Sequence, residues 1–192
     1  RACVHLYYKL TRLKEVNFLS IVGSHYGRID NKNKVYVKLN DISLKSISKE
    51  GNDYIINTGS PHYIRFVNNL NKINFVSSAK KIRCSKKFIK RGINVNFVQK
   101  SITKDFNKNN PLRGFYSRTF ERGVEGETLS CGTGAVAIAI CLRESGIILK
   151  NKYRILFKGG EIGVTFDKKN KYENIFISSQ INLVFNGVFS KK

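Results

Sequence analysis

The sequence predicts an α+β protein made of two related halves, the first of them incomplete. From Gly134 to about Arg143 the run Ala-Val-Ala-Ile-Ala-Ile-Cys-Leu is apolar on every side, so this helix must be enclosed by strands rather than lie amphipathic on a surface. Short apolar runs broken by glycine, asparagine and aspartate fill most of the remainder and read as strands joined by turns. A second helical pattern opens the chain, giving the order helix then strands, a polar link, then strands around a helix. At 192 residues and 41% hydrophobic content the chain can build one sizeable core or two small ones.

Each element has its own warrant. Val4, Tyr7, Tyr8 and Leu10 fall at helical spacing, which predicts a helix over the first dozen residues that has already begun at Arg1. The runs Phe18 to Val22 and Val35 to Leu39 are split by Gly23, Gly27 and Asp30-Asn31 and read as strands. Asp41 to Asn52 is polar, ends in Gly51-Asn52 and is the expected linker. Tyr54 to Ile56 and Tyr63 to Val67 flank Gly59-Ser60-Pro61-His62 as strand, turn and strand, with Pro61 expected outside the ladder. Basic residues 80 to 91 fit a short helix closed by Gly92. Ile93 to Val98 and Gly114 to Glu121 read as strands, followed beyond the apolar helix by Ile155 to Phe157, Ile162 to Phe166, Asn174 to Ser178 and Leu183 to Phe189. Gly159-Gly160 and Asn186-Gly187 supply turns among these last strands.

Composition narrows the function. Thirty-five basic and 13 acidic side chains give a net charge of +22. Lysine, asparagine and isoleucine are abundant and lysine is spread along the whole chain, so the charge is read as a solvated, compositionally biased surface rather than a nucleic-acid site. Its densest cluster is Lys80, Lys81, Arg83, Lys86, Lys87, Lys90 and Arg91, where a polyanion site is the alternative. No run reaches the roughly 18 apolar residues a membrane span needs, and no signal-peptide pattern opens the chain, which predicts a cytoplasmic protein without a membrane partner. The four cysteines, Cys3, Cys84, Cys131 and Cys141, lie far apart with no C-x-x-C spacing, so reduced thiols are expected and no metal site is. The chain opens on Arg1 and contains no methionine, as a fragment or processed product would.

The segment Glu121-Arg122-Gly123-Val124-Glu125-Gly126-Glu127-Thr128-Leu129-Ser130-Cys131-Gly132-Thr133-Gly134-Ala135 carries the chemistry. It sets a thiol on a glycine-framed turn at a helix start. There, free N–H groups and the helix dipole stabilise a thiolate, and a cysteine pKa can fall to roughly 3.5–7.5. The same N–H groups can hold a carboxylate. Buried, inert cysteine is the commoner fate of a free thiol, and it is the expectation for Cys3, Cys84 and Cys141. Glu121 and Arg122 form either a surface ion pair or a pair of opposite charges at a pocket mouth, Arg122 for a carboxylate and Glu121 for an ammonium. Gly132-Thr133-Gly134-Ala135-Val136-Ala137 also matches a dinucleotide fingerprint, but it lacks the preceding apolar strand and the later acidic residue. His62 is a candidate base or a structural hydrogen-bonding group. Asn94 and Asn96 face one side of their strand, toward solvent or a pocket.

These residues together resemble diaminopimelate epimerase. Glu121-Arg122-Gly123 through Cys131-Gly132-Thr133-Gly134-Ala135 is similar to that family's most specific signature. Thr58-Gly59-Ser60-Pro61-His62, Ile93 to Phe97 and Lys158-Gly159-Gly160 resemble its proline-histidine turn, its asparagine-bearing strand and its late glycine pair. The resemblance covers almost the whole chain, as the later two-thirds of the family's length.

It implies two pseudo-symmetric halves, each a curved, mostly antiparallel sheet wrapped around a central helix, with one catalytic cysteine at each helix start. Residues 1–47 would be a remnant of the N-terminal half, 48–183 the C-terminal half, and 184–192 a strand returning to the first half. It also implies cofactor-independent interconversion of LL- and meso-diaminopimelate, by a thiolate on one face and a thiol on the other, in lysine and peptidoglycan-precursor biosynthesis. Cys131 would be the second catalytic cysteine, with Gly132 and Thr133 donating N–H groups to the reacting carboxylate. Asn94, Glu121, Arg122 and Ser60 would contact substrate, with Ser60 standing where many members have asparagine. His62 would play a supporting role, and the partner would be this small molecule, with a homodimer as an open option. The first cysteine, in a Cys-Gly-Asn turn, is expected just upstream of Arg1, so the isolated chain is expected to be inactive. A related two-cysteine racemase, a decayed half-enzyme or a non-catalytic basic binding module are the alternatives.

Overall fold

The computed structural model describes residues 1–20, 23–100, 114–185 and 187–188, and shows an α+β protein. Two compact units are present, residues 1–38 with 178–192 and residues 39–177. No helix among the described residues is long and apolar enough to cross a membrane.

In the first unit, helix α1 (Ala2–Thr11) is followed by β1 (Glu15–Ser20), β2 (Gly23–Ile29) and β3 (Lys34–Lys38), an antiparallel meander. Val4 is the buried residue of α1, while Leu10 at the end of its apolar stripe is exposed. The β2–β3 turn is organised by Asp30, whose carboxylate accepts from the N–H groups of Lys32 and Lys34, each at 2.9 Å.

The second unit begins with β4 (Ile42–Ser43), a 3₁₀ turn at Leu44–Ser46 and β5 (Ile47–Glu50), so the expected linker is strand and turn instead. The reason is positional: β4 pairs with a late strand and β5 closes one edge of the sheet, where side chains meet water and a polar sequence is at home. β6 (Asp53–Asn57) and β7 (Pro61–Val67) follow as a hairpin. Pro61, expected outside the ladder, opens β7 opposite Asn57, a first-residue position that a missing N–H tolerates.

The second helix is α2 (Phe75–Arg83), not the basic run at 80–91. Asn74 caps it by accepting from the Ser77 N–H, and Phe75 and Ala79, four residues apart, bury one stripe. After a series of turns the chain passes through Gly92, at φ +72°, into β8 (Asn94–Lys100). β9 (Gly114–Glu121) and β10 (Gly126–Thr128) form a hairpin that leads to α3 (Gly132–Glu144). β11 (Lys152–Phe157), β12 (Gly160–Lys168) and β13 (Lys171–Gln180) complete the sheet in the order β13-β12-β11-β9-β8-β7-β6-β5. The assigned registers are antiparallel except for β7–β8 and β9–β11. Of the strand expected at Leu183 to Phe189, residues 183–185 are in no strand, and 186 and 189 lie outside the described residues.

Both faces of the central strands are covered. α3, buried at every position from Gly134 to Leu142, packs against β6, β7, β8, β11 and β12. On the opposite face α2 packs on β8 and β9, where Phe75, Ala79, Val95, Phe97, Phe120 and Tyr63 form a core. The period of two along each strand divides the side chains between these faces. Tyr63, Val95, Phe97 and Phe120 go to α2, which leaves His62, Asn94, Asn96, Thr119 and Glu121 for the α3 side.

Candidate active site

That α3 side is polar in an otherwise apolar interior. His62, Asn96 and Thr119 are completely buried and Asn94 nearly so. Register brings them together: His62 lies opposite Asn94 on the parallel β7–β8 pair, and Asn96 opposite Thr119 on the antiparallel β8–β9 pair. The start of α3 lies above them.

Cys131 is the N-cap of α3 and is 8% exposed. Its sulfur accepts from the Gly134 N–H at 3.4 Å and lies 3.6 Å from the Thr133 hydroxyl. Gly132 and Thr133 are the first two helical positions, whose N–H groups have no acceptor within the helix. The thiol is not acidified, as the helix start had suggested. Burial raises its pKa above the ordinary value and the neighbouring Glu121 carboxylate adds to the rise, against the opposing hydrogen bonds from Thr133 and Gly134. Desolvation of a thiolate outweighs those two hydrogen bonds here.

Glu121, at the end of β9, accepts from the Thr128 hydroxyl of β10 at 2.7 Å, which fixes its carboxylate beside the thiol. Arg122 is exposed. Its backbone N–H donates to Asn94 Oδ1 at 2.9 Å and its guanidinium to the Arg91 carbonyl at 3.0 Å. Asn94 Nδ2 donates in turn to Ser60 Oγ and to the Pro61 carbonyl. Gly92 makes room for the Arg122 stem, since a Cβ there would fall 2.4 Å from Arg122 Cδ. His62 Nε2 is 3.0 Å from Thr133 Oγ1, and Nδ1 is 3.1 Å from Asn96 Nδ2. Burial, with Arg122 adding to it, lowers the His62 pKa to about 3, so the ring is neutral.

All eight residues singled out in the sequence, Ser60, His62, Asn94, Glu121, Arg122, Cys131, Gly132 and Thr133, are therefore joined around one helix start. Of the other cysteines, Cys141 is buried within α3, whereas Cys3 and Cys84 are exposed rather than packed as small hydrophobes. Sequence reasoning placed Asn96 on the same strand face as Asn94, toward solvent or a pocket, but gave it no role in the site, and it missed the roles of Thr119 and Thr128. Thr128 lies inside the Glu121 to Ala135 segment, where its contact with Glu121 could not be read, and nothing in the sequence marked Thr119.

The family model described as diaminopimelate epimerase matches residues 54–179. The chain belongs to the diaminopimelate epimerase family. The diaminopimelate epimerase of Flavobacterium psychrophilum is 33% identical over 92% of this chain and 66% of its own length. That of Aquifex aeolicus is 34% identical over 93% of this chain and 63% of its own length. The chain thus spans just under two thirds of these curated relatives. Among solved structures, a phenazine biosynthesis protein of Bacillus anthracis (TM-score 0.65, 13% identity, covering 92% of this chain and 70% of that one) has a similar fold. So does a hydroxyproline epimerase of Agrobacterium vitis with bound trans-4-hydroxy-L-proline (TM-score 0.63, 12% identity, covering 93% of this chain and 60% of that one). These two likenesses concern the fold alone.

Proposed function

We propose that this chain supplies one acid/base thiol and the head-group contacts of a cofactor-independent epimerase that interconverts LL- and meso-diaminopimelate, a step in lysine and peptidoglycan-precursor biosynthesis. The observation that carries the reading is the buried Cys131 thiol, which caps the enclosed helix α3 beside Glu121 and next to the free N–H groups of Gly132 and Thr133. A substrate carboxylate on those N–H groups sets the α-carbon before the sulfur, and they hold the negative charge that develops when the α-proton leaves. Because burial favours the protonated thiol at neutral pH, Cys131 rests in the donor form. A base on the opposite face takes the α-proton as the Cα–H bond breaks; the Cys131 S–H bond then breaks and its proton forms the new Cα–H bond, inverting the centre. The thiolate left behind is held by the Gly134 N–H and the Thr133 hydroxyl. Arg122, with Asn94 and Ser60 beside it, offers a fork for a carboxylate.

The opposite base is proposed to be a second thiol contributed from outside these 192 residues. Cys3 and Cys84 are exposed and Cys141 is locked inside α3. A reducing compartment such as the cytoplasm suits such a pair.

The test is exchange of the α-proton and epimerisation of LL-diaminopimelate in heavy water, followed by NMR, on the intact protein and on its Cys131→Ser variant. The intact protein is expected to turn over and the variant to lose activity while keeping its fold; retained activity would remove Cys131 from the mechanism. The isolated 192-residue chain is expected to be inactive, and full turnover by it would overturn the two-base division. A parallel assay with proline separates this substrate from that of a related racemase.

A further inference from the structure

The polar chain behind Cys131 has a direction that can be worked out from its endpoints. Asn96 Nδ2 faces the Tyr63 carbonyl at 3.2 Å, and a carbonyl can only accept. The nitrogen side of the amide is therefore the one facing β7, and Asn96 Oδ1 correspondingly accepts from the Thr119 hydroxyl at 2.8 Å. The second Nδ2 hydrogen points at His62 Nδ1, 3.1 Å away, so that ring nitrogen is the bare one. A neutral imidazole with Nδ1 bare carries its proton on Nε2. Nε2–H then donates to Thr133 Oγ1, and the Thr133 hydroxyl keeps its own hydrogen for the Cys131 sulfur.

We infer that Asn96 is a positioning residue that fixes the tautomer of His62 and, through it, turns the Thr133 hydroxyl toward Cys131 to support the thiolate. With the other tautomer, His62 Nε2 would draw the Thr133 hydrogen toward itself, and the sulfur would keep only the Gly134 N–H. The packing is tight enough to hold one arrangement. His62, Asn96 and Thr119 are each 0% exposed, and a Cβ on Gly134 would stand 2.8 Å from Asn96 Oδ1 and 3.2 Å from Cys131 Sγ. Tyr63 anchors the amide from β7 and Thr119 from β9, so the relay spans three strands and the helix start. The charged and titratable groups facing the pair are Glu121 from β9 against the thiol, Arg122 acting on His62, and His62 itself from β7. Asn96 leaves the charge of all three unchanged.

The functional meaning rests on Cys131 being the acid/base thiol proposed above, but the relay can be tested without epimerase activity. In a Cys3→Ser/Cys84→Ser background, the pH dependence of iodoacetamide alkylation at Cys131 gives the thiol pKa. Thr133→Val is expected to raise it by about one unit, the size of one hydrogen bond to a charged group. Asn96→Ala is expected to raise it similarly in that background and to add nothing once Thr133→Val is present. Equal shifts in both backgrounds, or none in either, overturn the relay. Nitrogen NMR of the chain with His5→Gln and His25→Gln reads the tautomer of His62 directly, even where Asn96→Ala fails to fold. An Nε2–H signal is expected, and a proton on Nδ1 overturns the inference.

Discussion

Acidification should strike this fold first at His62. The side chain is fully buried, both ring nitrogens are engaged, and its pKa is lowered from 6.5 to about 3. Above pH 6.5 the ring is neutral in both folded and unfolded chains, and its contribution to stability is complete. Below 6.5 the unfolded chain takes up a proton that the folded chain refuses, so stability falls until the folded pKa is reached. Well inside that window each pH unit costs about 1.4 kcal/mol, so moving from pH 6.5 to 4.5 removes about 2 kcal/mol, a sizeable part of a domain's usual margin. Urea unfolding of the parent and of a His62→Gln variant between pH 7.5 and 4.5 measures it. The parent should lose stability more steeply, by one extra proton bound on unfolding, even though the variant starts lower. Carboxylates such as Glu127 and Glu144, whose lowered pKa values also make acid destabilising, act equally in both chains and cancel in the comparison. Identical slopes for the two proteins, or a His62 resonance titrating near its ordinary value, would refute the buried neutral ring.

Further substitutions probe the support around the thiol. Gly134→Ala sets a methyl against Asn96 Oδ1 and Cys131 Sγ; it should destabilise the chain by about 1–3 kcal/mol in urea unfolding and change the rate of Cys131 alkylation. Gly92→Ala meets the Arg122 stem at a backbone of φ +72°; under the proposed function, the KM of the intact protein for diaminopimelate should rise more than kcat falls in steady-state kinetics. Arg118 holds Glu127 through two bonds of 2.7 and 2.5 Å and lies over the Phe75 ring. Arg118→Ala should cost about 1–2 kcal/mol at pH 7. Because the hydrogen bond from Arg118 lowers the Glu127 pKa, that cost should shrink as the pH falls through the Glu127 titration, which unfolding at neutral and acid pH checks.

Much of this protein was legible in one dimension because its strongest signals are local. An apolar run on all sides of a helix can only be enclosed, and α3 is buried from Gly134 to Leu142. A thiol framed by glycines before that helix could be located from spacing, as could the strands on either side. Elements whose character comes from position were misread. β5 is polar because it is an edge, and α2 was sought among its lysines although its start is set by the Asn74 cap and the Phe75–Ala79 stripe.

The sequence by itself determined the α+β class, the central helix, eight of the residues of the candidate site and the family they belong to, since propensity, periodicity and motif spacing all act over a few residues. Only the tertiary structure decided the state of those residues. The Cys131 pKa is raised by burial and by the neighbouring Glu121, and His62 is neutral because burial beneath the start of α3, with the positive charge of Arg122, disfavours its protonation. Asn96 and Thr119, 23 positions apart, meet because strand register aligns them. Desolvation and cross-strand contact depend on what long-range packing brings near, and no local pattern encodes that.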